Sequence, residues 1–245
     1  MRLINTLKQL KDWKLTQQEN KKTWALLPFI DVIPEESQIL LKGAHACCDI
    51  ALVALEGDST KNHNRFIELE AQGCDAVLLL GNELNVQQVT GLNLHFSPPY
   101  PSLLQQSCYQ SLGLKLLRLF SLLQPQMAVL SLHDLPRYWI TNKLCEEFFI
   151  VVEIIAAAPI PEDSDQNILY SVLRRCAQAI HVGHDIDLTL HKGREILRKW
   201  QCKPRYFDCY NINTFTPTHQ IGSESLLWAL PQEQNSSGYA VRVFY

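Results

Sequence analysis

The feature that most limits what this chain can become is a series of short apolar runs, each followed by a helical pattern. Residues 23–29 (TWALLPF), 49–55 (DIALVAL), 75–81 (DAVLLLG) and 127–132 (MAVLSL) are apolar at successive positions, so both faces of each run need cover. Strands of that kind belong to a parallel sheet with helices on both sides. Helical patterns fill the gaps: about 34–47, then NRFIELEAQG, then about 107–123, ended by Gln124-Pro125. A further helix takes Pro136 as its first residue and runs to about 147. FFIVVEIIAAAPI is expected to close the sheet as a buried strand. The β-α alternation predicts a doubly wound, Rossmann-like α/β domain over residues 1–160.

Past the proline-containing link PIPEDSDQN the pattern changes. Residues 166–182 and 187–201 read as two amphipathic helices, and RYFDCYNI, SLLWAL and GYAVRVFY as three short strands. That predicts a smaller C-terminal α+β domain over residues 161–245. Trp24, Trp139, Trp200 and Trp228 are expected in core or domain contacts.

With 47% hydrophobic and 19% charged residues, a chain of 245 residues can bury a sizeable core. A formal net charge of −3, with no basic run longer than KK or RR, argues against nucleic acid and polybasic membrane binding. The longest apolar run is interrupted by Glu153 and is too short to span a bilayer. The opening MRLINTLKQLKDWKL is too broken by Lys and Asp for a signal peptide, so cytoplasmic residence is expected. The eight cysteines are scattered and form no C-x-x-C, which reads as reduced, mostly buried thiols. His181, His184 and His191 come nearest to a metal set, but IHVGHDIDL reads as surface histidines around a glycine C-cap, and no metal site is expected.

The stretch PFIDVIPEESQILL raises the functional question. It reads as a strand end running into a helix, the place where an open α/β sheet takes up a phosphate. Yet Pro34, Glu35 and Glu36 are expected to open the helix. Carboxylates there complement the helix dipole and repel an anion. Asp31, Glu35, Glu36 and Asp58 could gather as oxygen ligands for a hard cation, or form a solvated acidic rim.

Taken in order, several stretches resemble pantothenate synthetase, the ATP-dependent ligase family that joins pantoate to β-alanine through a pantoyl adenylate. LGLKLLRLFSLLQPQMAVLSLHDL is similar to the family's helix-to-strand passage V-x-K-L-F-N-L-V-x-P-D-x-A-x-F-G-x-K-D. MRLINTLKQL resembles the family's opening, and LLP with ILLKGAHACCDIALVAL its first strand, helix and second strand. LYSVLRRCAQAIHVGHDIDLTLHKGREIL and RYFDCYNINTFTPT resemble its C-terminal domain. The resemblance implies a nucleotidyltransferase-type fold, ATP and Mg²⁺ where ligase activity is retained, and a homodimer through the N-terminal domain.

The motifs that carry the family's chemistry depart from the pattern. Where the family has P-T-M-G-x-L-H-x-G-H, Pro28 is kept, but Pro34 and Ser37 replace the histidines and Glu36 the glycine. Asp58 and Lys61 stand where the family places an asparagine and a glutamine near pantoate. In SLHDLPR, His133 replaces a lysine, Asp134 is kept, and Pro136 replaces a glutamine. The family's S-S-R-N loop has no counterpart; Cys108 stands at a histidine, Ser111 at a glycine, and Arg118 carries the charge of the helix lysine. By this likeness a working site would use His133 and Asp134 in catalysis and Arg118, Lys61 and Asp134 to hold ATP.

Each of these residues also has a plainer reading. Asp134 can cap a helix, His133 can be a satisfied loop histidine, and Lys61 can be solvated. Cys108 can be a small buried hydrophobe instead of a nucleophile near His133, and Arg118 can lay its stem on a core face. The expectation is a pantothenate synthetase-like protein whose catalytic site has degenerated and which is retained for binding or assembly. The alternative is a divergent but active ligase with a rearranged site.

Overall fold

In the computed structural model, which describes residues 1–57, 63–81, 94–96, 106–158, 160, 167–222, 225–232 and 238–243, the apolar runs become a six-stranded parallel sheet. The strands are β1 (Arg2–Ile4), β2 (Trp24–Ile30), β3 (Ile50–Glu56), β4 (Ala76–Leu80), β5 (Met127–Ser131) and β6 (Glu153–Ala157), in the order β1-β4-β3-β2-β5-β6. Helices α1 (Leu7–Glu19), α2 (Ser37–Cys47), α3 (His63–Ala71), α4 (Ser107–Leu123) and α5 (Leu135–Glu147) join them, with a short 3-10 turn at Leu132–Asp134. Every residue of β2 and β4 is buried, as is β3 up to its last residue, Glu56, and this accounts for runs without polar alternation. Leu27, Val53, Val77 and Val129 from four strands meet Leu40, Leu41 and Ala44 of α2 in one core.

The chain forms two compact units. The N-terminal unit is Met1–His95, Ser107–Leu130 and Ile140–Ala157; the C-terminal unit is Phe96–Gln106, Ser131–Trp139 and Ala158–Tyr245. In the C-terminal unit, α6 (Ile168–His181) and α7 (Ile186–Lys199) pack on a four-stranded antiparallel sheet, β10-β9-β7-β8. Its strands are β7 (Tyr206–Asn211), β8 (Thr216–Pro217), β9 (Ser225–Leu230) and β10 (Tyr239–Arg242).

The turn between α6 and α7 follows from three residues. Gly183 has φ +93°, its N–H bonds the carbonyl of Ile180, and the His184 N–H reaches back to Ala179, which is a Schellman closure. Asp185 then accepts from the Leu188 N–H at 2.8 Å and caps α7. His191 lies 3.7 Å from Glu195, and His219 bonds Asp187 at 2.8 Å. No group of three or more His, Cys, Asp or Glu among the described residues is placed to hold a metal.

Three expectations are corrected. FFIVVEIIAAAPI is not one buried strand: α5 ends at Glu147, Phe149 takes φ +53°, and only Glu153–Ala157 pairs, as a half-exposed edge strand. Phe149 and Val151 are 90% and 95% exposed. The helix expected from Pro34 begins at Ser37 instead, so Glu35 and Glu36 precede its first turn. Trp200, expected in a contact, is 68% exposed. Among the described residues no helix is long and apolar enough to cross a membrane.

Candidate functional site

The C-terminal edge of the parallel sheet is built by an irregularity in β2. Pro28 supplies no N–H, so a central strand can hold it only where the ladder is broken. The β2–β3 register does shift between Leu27 and Ile30, and β2 pairs β5 only at Ala25 and Leu26. Ile30 then takes φ +55°, costly for a β-branched residue, on the order of 1–3 kcal/mol. This turn carries Asp31 to the strand end, beside the point where strand order reverses between β2 and β5.

Glu56 ends β3 next door, and α4 sends Lys115 between the two acids. Its Nζ lies 2.5 Å from Glu56 Oε2 and 3.3 Å from Asp31 Oδ1. Lys115 is 8% exposed and shares a helix stripe with Leu112, Leu116, Leu119 and Phe120. Its burial pushes the ammonium pKa down, but the Glu56 hydrogen bond and the charges of Asp31 and Glu56 outweigh burial and leave it above the ordinary lysine value. Lys115 is therefore held protonated, with its charge taken up by two carboxylates.

The start of α2 carries an acid as well. Glu36 is its N-cap and makes no side-chain cap bond. The Ser37 N–H is already used by the Pro34 carbonyl at 2.9 Å, and the buried Ser37 hydroxyl donates to Gln72 Oε1 at 2.8 Å. Asp31, Glu56 and Glu36 thus bring three carboxylates to this end of the sheet, and the buried ammonium of Lys115 is already paired with two of them.

Asp134 accepts from the Arg137 N–H at 3.2 Å and pairs with its guanidinium at 2.8 Å, the geometry of a helix cap on α5. His133 is buried in the C-terminal unit: its Nδ1 accepts from the Ala240 N–H at 2.9 Å, and its carbonyl accepts from the Trp228 indole at 3.0 Å. Nδ1 as acceptor places the ring proton of the neutral form on Nε2. Arg118 is half-buried on α4, and Cys108 is an exposed thiol in that helix's first turn. Asp58 and Lys61 lie outside the described residues. The residues that the sequence reading missed are Glu56, the last residue of an otherwise apolar strand, and Lys115, whose signal is a lysine inside the apolar stripe of α4.

No family model matches the chain. In sequence it is 21% identical over 263 residues to the pantothenate synthetase of Marinobacter nauticus, covering 93% of each chain. The crystal structure of pantothenate synthetase from Thermus thermophilus matches with a TM-score of 0.79 at 15% identity, covering 100% of both chains. Pantoate-beta-alanine ligase from Francisella tularensis, complexed with beta-gamma ATP and beta-alanine, matches with a TM-score of 0.64 at 11% identity, covering 98% of this chain and 96% of that one. The fold is that of pantothenate synthetase. The pantothenate synthetase resemblance read from the residues thus holds in sequence along nearly the whole chain, and in architecture along all of it. Against that background, the closed Lys115–Asp31–Glu56 set lies at the sheet edge where doubly wound folds take up ligands.

Proposed function

We propose that this chain is a pantothenate synthetase-like protein that no longer carries out ATP-dependent ligation and is retained for binding or assembly. The observation that carries the reading is Lys115, the buried cation of the sheet edge, closed by Asp31 and Glu56. Adenylation needs preorganised positive charge on the phosphates. Two unit charges of the same sign roughly 6 Å apart repel by about 3 kcal/mol at an effective dielectric near 20, so each carboxylate works against a polyanion. Pro34 and Ser37, in place of the family's histidines, add no compensating charge. His133 and Asp134 are engaged in internal bonds.

In this reading the protein resides in the cytoplasm and forms a homodimer through its N-terminal unit. The exposed apolar residues Phe148, Phe149 and Val151, just before the edge strand β6, support self-association. The deciding experiment is isothermal titration with ATP·Mg²⁺, alone and with pantoate, alongside a pyrophosphate-release assay. A flat trace at millimolar ATP and no pyrophosphate are expected. Micromolar heat that depends on both ligands, with pyrophosphate released, overturns the proposal in favour of a divergent ligase acting through His133, Asp134, Arg118 and Lys61.

A further inference from the structure

A second group of cations, in the C-terminal unit, has no role in the family resemblance. Between the end of α7 and the start of β7 lies a cavity of about 360 Å³, within the range of small-ligand sites. Arg194, Arg198, Lys203, Arg205, Asp208 and Tyr210 line it. Arg194 is engaged: it donates to the Phe207 carbonyl at 2.7 Å and lies 3.4 Å from Asp208. That pair cancels and leaves Arg198, Lys203 and Arg205, none of which makes an ion pair with any described residue.

The plain explanation covers only part of this. Arg198 lies in the last turn of α7 and complements the helix dipole there. Lys203 and Arg205 lie beyond the helix, so that account does not reach them. Their backbone is pinned on both sides: the Cys202 N–H bonds the Leu197 carbonyl at 2.9 Å, and the Arg205 N–H bonds the Leu230 carbonyl at 2.8 Å. The Arg205 guanidinium is also set 5.7 Å from the centre of the Tyr206 ring. Cations on an anchored backbone spend less conformational entropy on a ligand than mobile surface charges do.

Tyr210 adds a hydroxyl to the lining of the same cavity. It is 7% exposed, its ring is gripped by Phe215 and Trp228, and it lines the cavity, yet its hydroxyl bonds no described residue. Burial pushes its pKa up, so at neutral pH it is a donor. We propose that this cavity is a binding site for a small phosphomonoester, its phosphate held by Arg198, Lys203 and Arg205 and hydrogen-bonded by the Tyr210 hydroxyl. Three unpaired cations suit a dianion better than a single carboxylate, and guanidinium forks match phosphate oxygens.

The test is calorimetric titration of the full chain with inorganic phosphate and with glycerol 3-phosphate, in about 0.15 M salt to screen loose surface attraction. Saturable binding at millimolar or tighter is expected, weakened about tenfold or more in Lys203→Ala/Arg205→Ala and several-fold in Tyr210→Phe. The first pair is exposed and the second change keeps the ring, and circular dichroism checks that each variant is folded. Absence of saturation overturns the site. Heat that fades with salt and ignores Tyr210→Phe marks surface charge only and overturns it equally. Succinate binding as tightly as phosphate overturns the assignment to phosphomonoesters.

Discussion

Among the described residues Lys115 is the only lysine, arginine, aspartate or glutamate that is buried, and it holds two acids at a strained strand end. Replacing it with methionine keeps the stem's volume but leaves Asp31 and Glu56 facing each other. Their side chains are 50% and 25% exposed, so water shares the cost. Lys115→Met is expected to lose about 1–3 kcal/mol, below the 3–5 typical of a fully buried broken pair. Adding Asp31→Asn and Glu56→Gln should recover most of that loss, measured by urea midpoints. The pH dependence has a definite sign. A lysine whose folded pKa is raised contributes stability that is fully present below its unfolded value, about 10.4. That contribution is lost as pH rises through the folded value. The stability gap between wild type and Lys115→Met should therefore be constant near neutrality and shrink above about pH 10. A gap that does not move with pH would show that Lys115 contributes packing and not charge.

The helix pair of the C-terminal unit is held closer than side chains at every position would permit. A Cβ added at Gly193 of α7 would lie 2.7 Å from the Cys176 sulfur of α6 and 3.1 Å from two ring carbons of Phe207 in β7. Alanine would otherwise favour the helix by about 1 kcal/mol. The overlap with a buried sulfur and a buried ring is the larger effect, and Gly193→Ala is expected to cost a net 1–2 kcal/mol or so. Cys176→Ala in the same chain removes the nearest atom and should restore much of it, a coupling that a double-mutant cycle in urea measures. The ends of these two helices were legible because their punctuation is local: Asn167 and Asp185 cap, and Gly183 closes. The start of α2 was not. Proline followed by two glutamates has the composition of a first helical turn, but Ile30's positive φ bends the chain early, and the Pro34 carbonyl closes a separate turn on Ser37. Strand β1 is three residues long, too short for any periodicity, and exists through its pairing with β4. Asp31 was legible as an acid at the strand end; Lys115 was hidden because an amphipathic pattern is read from its apolar positions, and one lysine barely disturbs it.

The packed interiors of the two units leave the thiols of the chain in sharply different surroundings. No cysteine is in a disulfide; Cys47 and Cys108 are exposed, Cys202 is half-buried, and Cys48, Cys74, Cys145, Cys176 and Cys209 are buried. Burial drives the Cys74 thiol up to about 12 and those of Cys145, Cys176 and Cys209 up to about 11. The thiolate is the reacting form, so at pH 8 only about one part in a thousand to ten thousand of these four is reactive even before access is considered. Alkylation with iodoacetamide, followed by peptide mass spectrometry, should label Cys47 and Cys108 first. Cys74, Cys145, Cys176 and Cys209 should react only at the rate at which the native structure opens, which sub-denaturing urea accelerates. Cys74 and Cys145 report on the N-terminal unit, Cys176 and Cys209 on the C-terminal unit. Fast labelling of either pair in the native protein would contradict the burial on which that unit's core is argued. Slow labelling of both, with early labelling at Cys47 and Cys108, is the pattern two intact cores require.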